Sequence, residues 1–356
     1  MRPVERAGLR LLRGLEPERA HGVALAALRA GIGPSGGPVS DPLLATDLAG
    51  LRVPNPVGIA AGFDKNAEAV RPILRAGAGF LEVGAVTPRP QAGNPRPRVF
   101  RLPRYGAVIN RLGFNNSGME AIRPRLEAAR GAGVIGANLG PNKESDDRTG
   151  DYVRVLAFLY DAADFFTVNV SSPNTEGLRD LQERAALARL LARVSEARDA
   201  LGPRKPVFVK ISPDLDDAAL APLVETVMAA EIDGIVATNT TLSRAGVAGR
   251  HSGEAGGLSG RPLFRRSTEV LATLSRLTDG RLPLIGVGGI ASAEDALAKI
   301  EAGATAVQLY TGLVFGGLGL AREIATDLVK LARQRGYAAL AEARGVSVRS
   351  EARPPG

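Results

Sequence analysis

Apolar, β-branched runs of strand length recur at Val57–Ala60, Phe80–Val83, Val134–Leu139, Phe165–Val170, Val207–Ile211, Gly234–Thr238, Leu284–Val287 and Ala306–Tyr310. Most are continuous rather than alternating, the pattern of parallel strands covered on both faces. Helical periodicity fills the intervals, as at Leu181–Ala200, Asp216–Ala230 and Ala293–Ala302. Capping residues agree: Ser292 precedes Glu294-Asp295, and Asp214 stands before Asp216-Asp217. Eight βα units in roughly 280 residues predict an α/β fold of the (β/α)8 TIM-barrel type. The rival is a doubly wound open sheet. That fold usually carries one Gly-rich turn after its first strand, whereas here polar or Gly-rich sequence follows nearly every strand.

Two stretches fall outside the repeat. Val99–Ile109, with Pro103-Arg104-Tyr105-Gly106 at its centre, predicts a β-hairpin inserted after the second strand. Ahead of the barrel, Val4, Leu11, Leu12 and Leu15 share one helical face, and Pro17 opens a second helix carrying Val23, Ala24 and Leu28. The Gly- and Pro-rich linker 31–38 sets this small helical extension apart. The expected division is an extension over 1–40, the barrel over 41–340 and a tail over 341–356, polar and frayed after about Gly345.

Composition narrows the chemistry. Among 356 residues there is no Cys, and the two His are His21 and His251. That removes disulfides, thiolate metal sites, Fe–S ligation, a catalytic thiol and a three-His centre, so no metal is expected. The net charge of +8 is enriched over residues 1–30, where six Arg accompany Glu5, Glu16 and Glu18. With aromatics at 4% and no RNA-recognition or zinc-finger pattern, a nucleic-acid partner is not expected. Only six of the 45 basic residues are Lys: Lys65, Lys143, Lys205, Lys210, Lys299 and Lys330. Against an Arg background, a Lys marks a need for a compact ammonium or a titratable amine. The apolar run Val23–Leu28 is far short of the ~20 residues of a membrane span, and the Arg and Glu around it do not make a secretory signal.

Catalytic groups in such barrels sit where the strands end. Those positions read Ala60-Ala61-Gly62-Phe63-Asp64-Lys65-Asn66, Gly84-Ala85-Val86-Thr87-Pro88, Asn138, Asn169-Val170-Ser171-Ser172-Pro173-Asn174-Thr175, Lys210, Thr238-Asn239-Thr240, Gly286-Val287-Gly288-Gly289-Ile290 and Tyr310-Thr311-Gly312. Five Asn and two of the six Lys converge on one face. Each alone suits a turn or a cap; together they suit a ligand. Gly288-Gly289 with Thr311-Gly312 predicts a phosphate held by backbone N–H groups. The amides and Lys210 suit a flat heterocycle with carbonyl and imide edges, the cation stabilising negative charge on the reduced ring. A phosphate-bearing planar cofactor follows, with flavin mononucleotide (FMN) the candidate; no substrate is specified.

The strings AAGFDKNAE (60–68), VTPRPQAGNPRPR (86–98), INRLGFNN (109–116), NVSSPNT (169–175), ATNTT (237–241), GGLSGRPL (256–263) and GVGGI (286–290), with PERAH (17–21) in the extension, closely resemble dihydroorotate dehydrogenases of the quinone-dependent class 2. The resemblance runs in order over nearly the whole chain. It implies oxidation of (S)-dihydroorotate to orotate in de novo pyrimidine synthesis, with FMN as cofactor and a membrane quinone as acceptor. Ser172 stands where class 1 enzymes have a Cys, which marks the class. By resemblance, Ser172 takes the C5 proton while a hydride passes from C6 to the flavin N5, and Lys65 pairs with the orotate carboxylate. Asn110, Asn169, Asn174, Asn239 and Thr240 would bind the pyrimidine edges, with the loop Arg111-Leu112-Gly113-Phe114 closing over them. Ala61, Gly62, Phe63, Asp64, Lys65, Asn138, Asn169, Lys210, Thr238, Gly260, Gly289, Tyr310 and Thr311 would hold the flavin.

Two departures stand out. Ala85 occupies a flavin-contact position where relatives usually have Thr or Ser, so a side-chain hydroxyl bond is lost there and only a backbone contact is left. Pro141 replaces a Lys of many relatives, which removes that charge from its loop. The extension would form the quinone access and rest on anionic lipid, placing a monomeric protein peripherally on the cytoplasmic side of the cell membrane. The residues alone leave two other readings open: a phosphate-binding aldolase or isomerase using Lys210 for Schiff-base chemistry, and an inert barrel docked through its basic N-terminus. His21 is expected to pack within or at the rim of the N-terminal helices, and His251 to be a solvated loop residue.

Overall fold

The computed structural model describes residues 3–351. Helices α1 (Pro3–Arg13) and α2 (Pro17–Arg29) come first, then a hairpin of β1 (Thr46–Leu48) and β2 (Leu51–Val53). Strands β3 (Val57–Ile59) and β4 (Phe80–Val86) are followed by an excursion containing β5 (Val99–Leu102) and β6 (Ala107–Asn110). Next come β7 (Val134–Leu139), β8 (Phe165–Asn169), β9 (Val207–Ile211), β10 (Gly234–Ala237), β11 (Gly257–Gly260), β12 (Leu284–Val287) and β13 (Ala306–Leu309). The eight apolar runs close into a parallel barrel in the order β3-β4-β7-β8-β9-β10-β12-β13. Pairing of β13 with β3, Val307 opposite Val57, completes the ring and excludes the open sheet.

Alternate residues of each strand point into the barrel. Its lower interior is filled by Phe80, Phe165 and Phe208, whose rings meet edge to face at 6.2 and 5.6 Å. Leu48 and Val53 of the β1–β2 hairpin pack in the same cluster and plug this end. Each ring occupies space left by a glycine on the next strand. A Cβ added at Gly58, Gly136 or Gly234 would fall closer than 3.0 Å to Phe80, Phe165 or Phe208 respectively. Two residues further along the strands stand Glu82, Asn138, Thr167, Lys210 and Gln308, all buried. An apolar floor thus supports a polar tier, and the strand ends lie above both.

Several local expectations change. The inserted hairpin is a three-stranded sheet, because β11 pairs antiparallel with β6, Gly257 opposite Asn110 through Gly260 opposite Ala107. Its strands lie far apart in the chain, so no local pattern signals the pairing. Asp216, not Asp214, caps the helix Asp217–Ala229, accepting from the Ala219 N–H at 2.8 Å. Asp214 instead accepts from Arg179 at 2.9 Å and from the Leu242 N–H at 2.8 Å. The face drawn for α1 splits: Leu12 turns inward with Leu9, whereas Leu11 is 77% exposed and the Val4 side chain lies outside the described residues. Beyond Gly345 the chain forms a further helix, Val346–Glu351, that buries Val348; residues 1–2 and 352–356 lie outside the described span.

Gly136→Ala is expected to destabilise the fold by about 1–3 kcal/mol through overpacking against Phe165. Thermal melting checks this, and adding Phe165→Leu should recover part of the loss, a non-additivity expected of residues in contact.

Candidate active site

The strand ends open onto a cavity of about 150 Å³. Of the residues singled out above, Ala61, Gly62, Lys65, Ala85, Asn110, Leu112, Gly113, Phe114, Asn138, Asn169, Ser172, Asn174, Lys210, Thr238, Asn239, Thr240, Gly260, Gly289, Tyr310 and Thr311 line it. Phe63, Asp64 and Arg111 do not. Asp64 is buried behind the wall, where its carboxylate accepts from the N–H groups of Glu68 and Ala69 at 2.8 and 2.7 Å. Arg111 turns outward to Glu254 at 2.8 Å and lies over the Phe100 ring. Phe63 faces a second cavity. His251 is only half exposed, its ring 5.2 Å from that of Phe100.

The base of the cavity is a chain of amides hung on one carboxylate. Asn138 donates to Glu82 Oε1 and Gln308 to Glu82 Oε2, each at 2.6 Å. Asn169 donates to Asn138 Oδ1 at 3.0 Å, and Asn239 donates to Asn169 Oδ1 at 3.3 Å and Ser171 Oγ at 3.0 Å. Each link fixes which way the next amide points, so the donors and acceptors facing the cavity are set by Glu82. Lys210 sits beside Asn169 in the β8–β9 register. Burial lowers its ammonium below the ordinary value, and the charge of Glu82 opposes that shift.

Above this base, Ser172 is buried and its Oγ accepts from the Asn174 N–H at 3.3 Å. Asn174 donates to Asn110 Oδ1 at 3.2 Å, bridging two walls. The acceptors Asn174 Oδ1 and Gln308 Oε1 are buried with no partner among the described residues. Opposite lies a turn without side chains: a Cβ on Gly289 would fall 2.5 Å from Phe264 Cβ, and one on Gly288 2.7 Å from Ser267 Oγ. The adjacent helix Thr311–Gly316 begins at the cavity, where the Thr311 and Gly312 N–H groups have no intrahelical acceptor while that of Leu313 donates to the Tyr310 carbonyl at 3.0 Å. Unmet acceptors at one end and an uncluttered backbone at the other fit a planar, N–H-bearing ligand with an anionic end.

A second, larger cavity of about 700 Å³ lies between α1, α2 and the barrel, walled largely by Leu9, Leu12, Ala24, Leu25, Leu28, Phe63, Val99 and Leu318. It shares Lys65, Leu112 and Tyr310 with the first. His21 packs here as expected, its Nε2 2.7 Å from the Phe63 carbonyl. Burial, with Lys65 adding to it, lowers the imidazole to about 4. Burial likewise lowers Lys65 to about 8, opposed by Glu18. Glu18 anchors α2 to the inserted segment through Arg98 at 2.6 Å and Arg96 at 3.0 Å. Its hydrogen bond to Arg98 is the main cause holding its carboxyl below the usual range.

Glu82 and Gln308 lie inside strands and not at their ends, so strand-end position does not single them out. The available signal was a lone polar residue in each apolar run, Phe80-Leu81-Glu82-Val83 and Ala306-Val307-Gln308-Leu309.

The family model described as Dihydroorotate dehydrogenase matches residues 43–331. A relative from Cereibacter sphaeroides, named dihydroorotate dehydrogenase (quinone), is 58% identical over 97% of this chain and 98% of its own. One of the same name from Agrobacterium fabrum is 51% identical over 97% and 96%. A crystal structure of DHODH from Eimeria tenella in complex with ferulenol superposes with a TM-score of 0.91 at 35% identity, covering 95% of this chain and 98% of that one.

Replacing Glu82 with Ala would strip two amides of their acceptor and leave Lys210 uncompensated. The expected loss is about 2–5 kcal/mol, from two buried amide donors left without an acceptor and a buried cation left without a nearby anion. Glu82→Gln, which keeps an acceptor, should melt between that variant and the wild type.

Proposed function

The chain belongs to the dihydroorotate dehydrogenase family, in its quinone-dependent class, and from that premise we propose how its two cavities divide the work. The family oxidises dihydroorotate in pyrimidine biosynthesis and is flavin-dependent. The Schiff-base reading of Lys210 falls with that membership. In our reading the barrel-mouth cavity binds FMN, with its ring over the amide tier and its phosphate at Gly288-Gly289 and the start of Thr311–Gly316. Dihydroorotate lies against Ser172. The observation that carries this is the meeting of Ser172, Lys65 and the Asn110, Asn174 and Asn239 amides on the walls of one cavity that has Lys210 in its lining.

A bound flavin would supply the acceptor for the hydride leaving C6 of dihydroorotate. Lys65 orients the substrate through its carboxylate, and with its ammonium lowered only to about 8 it stays mostly charged at neutral pH. The unpartnered Asn174 Oδ1 suits an N–H of the pyrimidine ring. Ser172 takes the C5 proton. A serine hydroxyl is a weak base, so the proton must pass onward as it arrives. The Asn174 N–H holds the Ser172 oxygen in place and leaves the hydroxyl proton for another acceptor. Lys210, in the cavity lining, would favour negative charge on a flavin ring held there. Arg111, clamped to Glu254 and Phe100, tethers the loop whose Leu112, Gly113 and Phe114 cover the site.

The apolar second cavity takes the quinone. A neutral His21 suits such a passage, and Tyr310 and Leu112 put its inner end at the edge of the flavin site. Leu11, Leu15, Val23 and Ile32 are exposed on the extension, beside the Arg enrichment of its sequence. Among the described residues no helix is long and apolar enough to cross a membrane. These features support a peripheral contact with anionic lipid on the cytoplasmic side of the cell membrane.

Ser172→Ala should retain flavin and orotate yet slow flavin reduction by dihydroorotate by at least about 100-fold, the scale of a lost general base. Stopped-flow bleaching measures this; a near wild-type rate would refute the assignment. Leu11→Glu should weaken sedimentation with anionic vesicles and raise KM for a long-chain quinone, while single-turnover flavin reduction stays unchanged. Unaltered vesicle binding would remove α1 from the membrane contact.

A further inference from the structure

Lys299 is a fully buried lysine with no part in the scheme above. It projects from the helix Ala293–Glu301, and its Nζ donates to Ser267 Oγ at 2.6 Å and to the Phe264 carbonyl at 3.4 Å, over the Phe264 ring. Those two residues are the ones on which the glycine turn rests. Ser267 Oγ is 3.3 Å from the Gly288 carbonyl, and Phe264 fills the space that a Gly289 side chain would need. Among the described residues no carboxylate lies within ion-pairing distance of Lys299. Asp295, one turn earlier, accepts instead from the Ala291 N–H at 2.9 Å. Burial lowers the Lys299 ammonium to about 7, with Asp295 opposing. A neutral side chain of similar length would carry no such desolvation cost, so packing alone does not account for an amine here.

We propose that Lys299 is a positioning residue for the phosphate end of the cofactor, the buried countercharge behind the Gly288-Gly289 turn. It braces the turn through Ser267 and Phe264 and sets a positive field across it, in a low-dielectric region where such a field is weakly screened. The proposal rests on the phosphate reading of this cavity given above.

Riboflavin has the same ring system without the phosphate, so comparing the two flavins isolates this effect. Flavin release from FMN-loaded and riboflavin-loaded protein, followed by fluorescence on dilution, is compared among wild type, Lys299→Met and Ser267→Ala. Wild type should hold FMN longer than riboflavin. Lys299→Met should release FMN at least about tenfold faster, from loss of one nearby charge, with riboflavin release unchanged. Ser267→Ala should shift FMN release the same way by less. The riboflavin-loaded Lys299→Met protein should melt within a few degrees of wild type, since the lost hydrogen bonds to Ser267 and Phe264 are offset by relief of the buried ammonium's desolvation.

If wild type releases both flavins equally, the phosphate reading fails and this proposal with it. If wild type discriminates and Lys299→Met discriminates as well, only the Lys299 role is overturned. Equal acceleration of both flavins, with a lowered melting temperature, would assign Lys299 to packing and also overturn it. Should Lys299→Met not fold, Ser267→Ala decides: full retention of the wild-type preference for FMN refutes the proposal.

Discussion

A carboxylate enclosed in a closed barrel has to be matched on the spot, because water cannot reach it and the strands cannot part to release it. Glu82 is that group. Its two oxygens take Asn138 and Gln308, and Asn138 in turn orients Asn169, which accepts from Asn239. Lys210 supplies the opposite charge. The hydrogen-bonding face presented to the cavity is therefore not a set of independent side chains but the end of one network with a charged origin. The floor of Phe80, Phe165 and Phe208 keeps that network dry from below.

The two cavities share a wall, and that wall has a reason to be thin. A reaction that passes electrons from a polar substrate to a lipophilic acceptor needs both near one carrier but not in one solvent environment. Lys65, Leu112 and Tyr310 face both spaces. At that wall burial lowers the Lys65 ammonium to about 8, and on the apolar side it lowers the His21 imidazole to about 4. The anchoring of α2 by Glu18 to Arg98, itself tied to the carbonyls of Ala92 and Asn94, fixes the apolar cavity against the barrel instead of leaving the extension loosely attached.

Much of this was legible in one dimension. Barrel strands carry continuous apolar runs, and their ends carry Asn, Lys and Gly, so the eight units and most cavity-lining residues follow from local pattern. Where side chains turn away from the cavity, the causes are local. Asp64 sits in a motif at a strand end, yet its carboxylate caps the following turn. Arg111 belongs to the covering loop but points out to Glu254. Leu11 fits an apolar helical face that packing against the barrel splits in two.

The sequence by itself determined the barrel, the family, the class and the amide-rich mouth, because each is written in short strings or in strand periodicity. Only the tertiary structure decided that β11 joins β5 and β6, that Glu82 organises amides from other strands, and that Lys299 lies behind the Gly288-Gly289 turn. Those contacts join residues far apart in the chain. They arise from closing the ring and seating helices on it, and no periodicity of three or four residues carries that information.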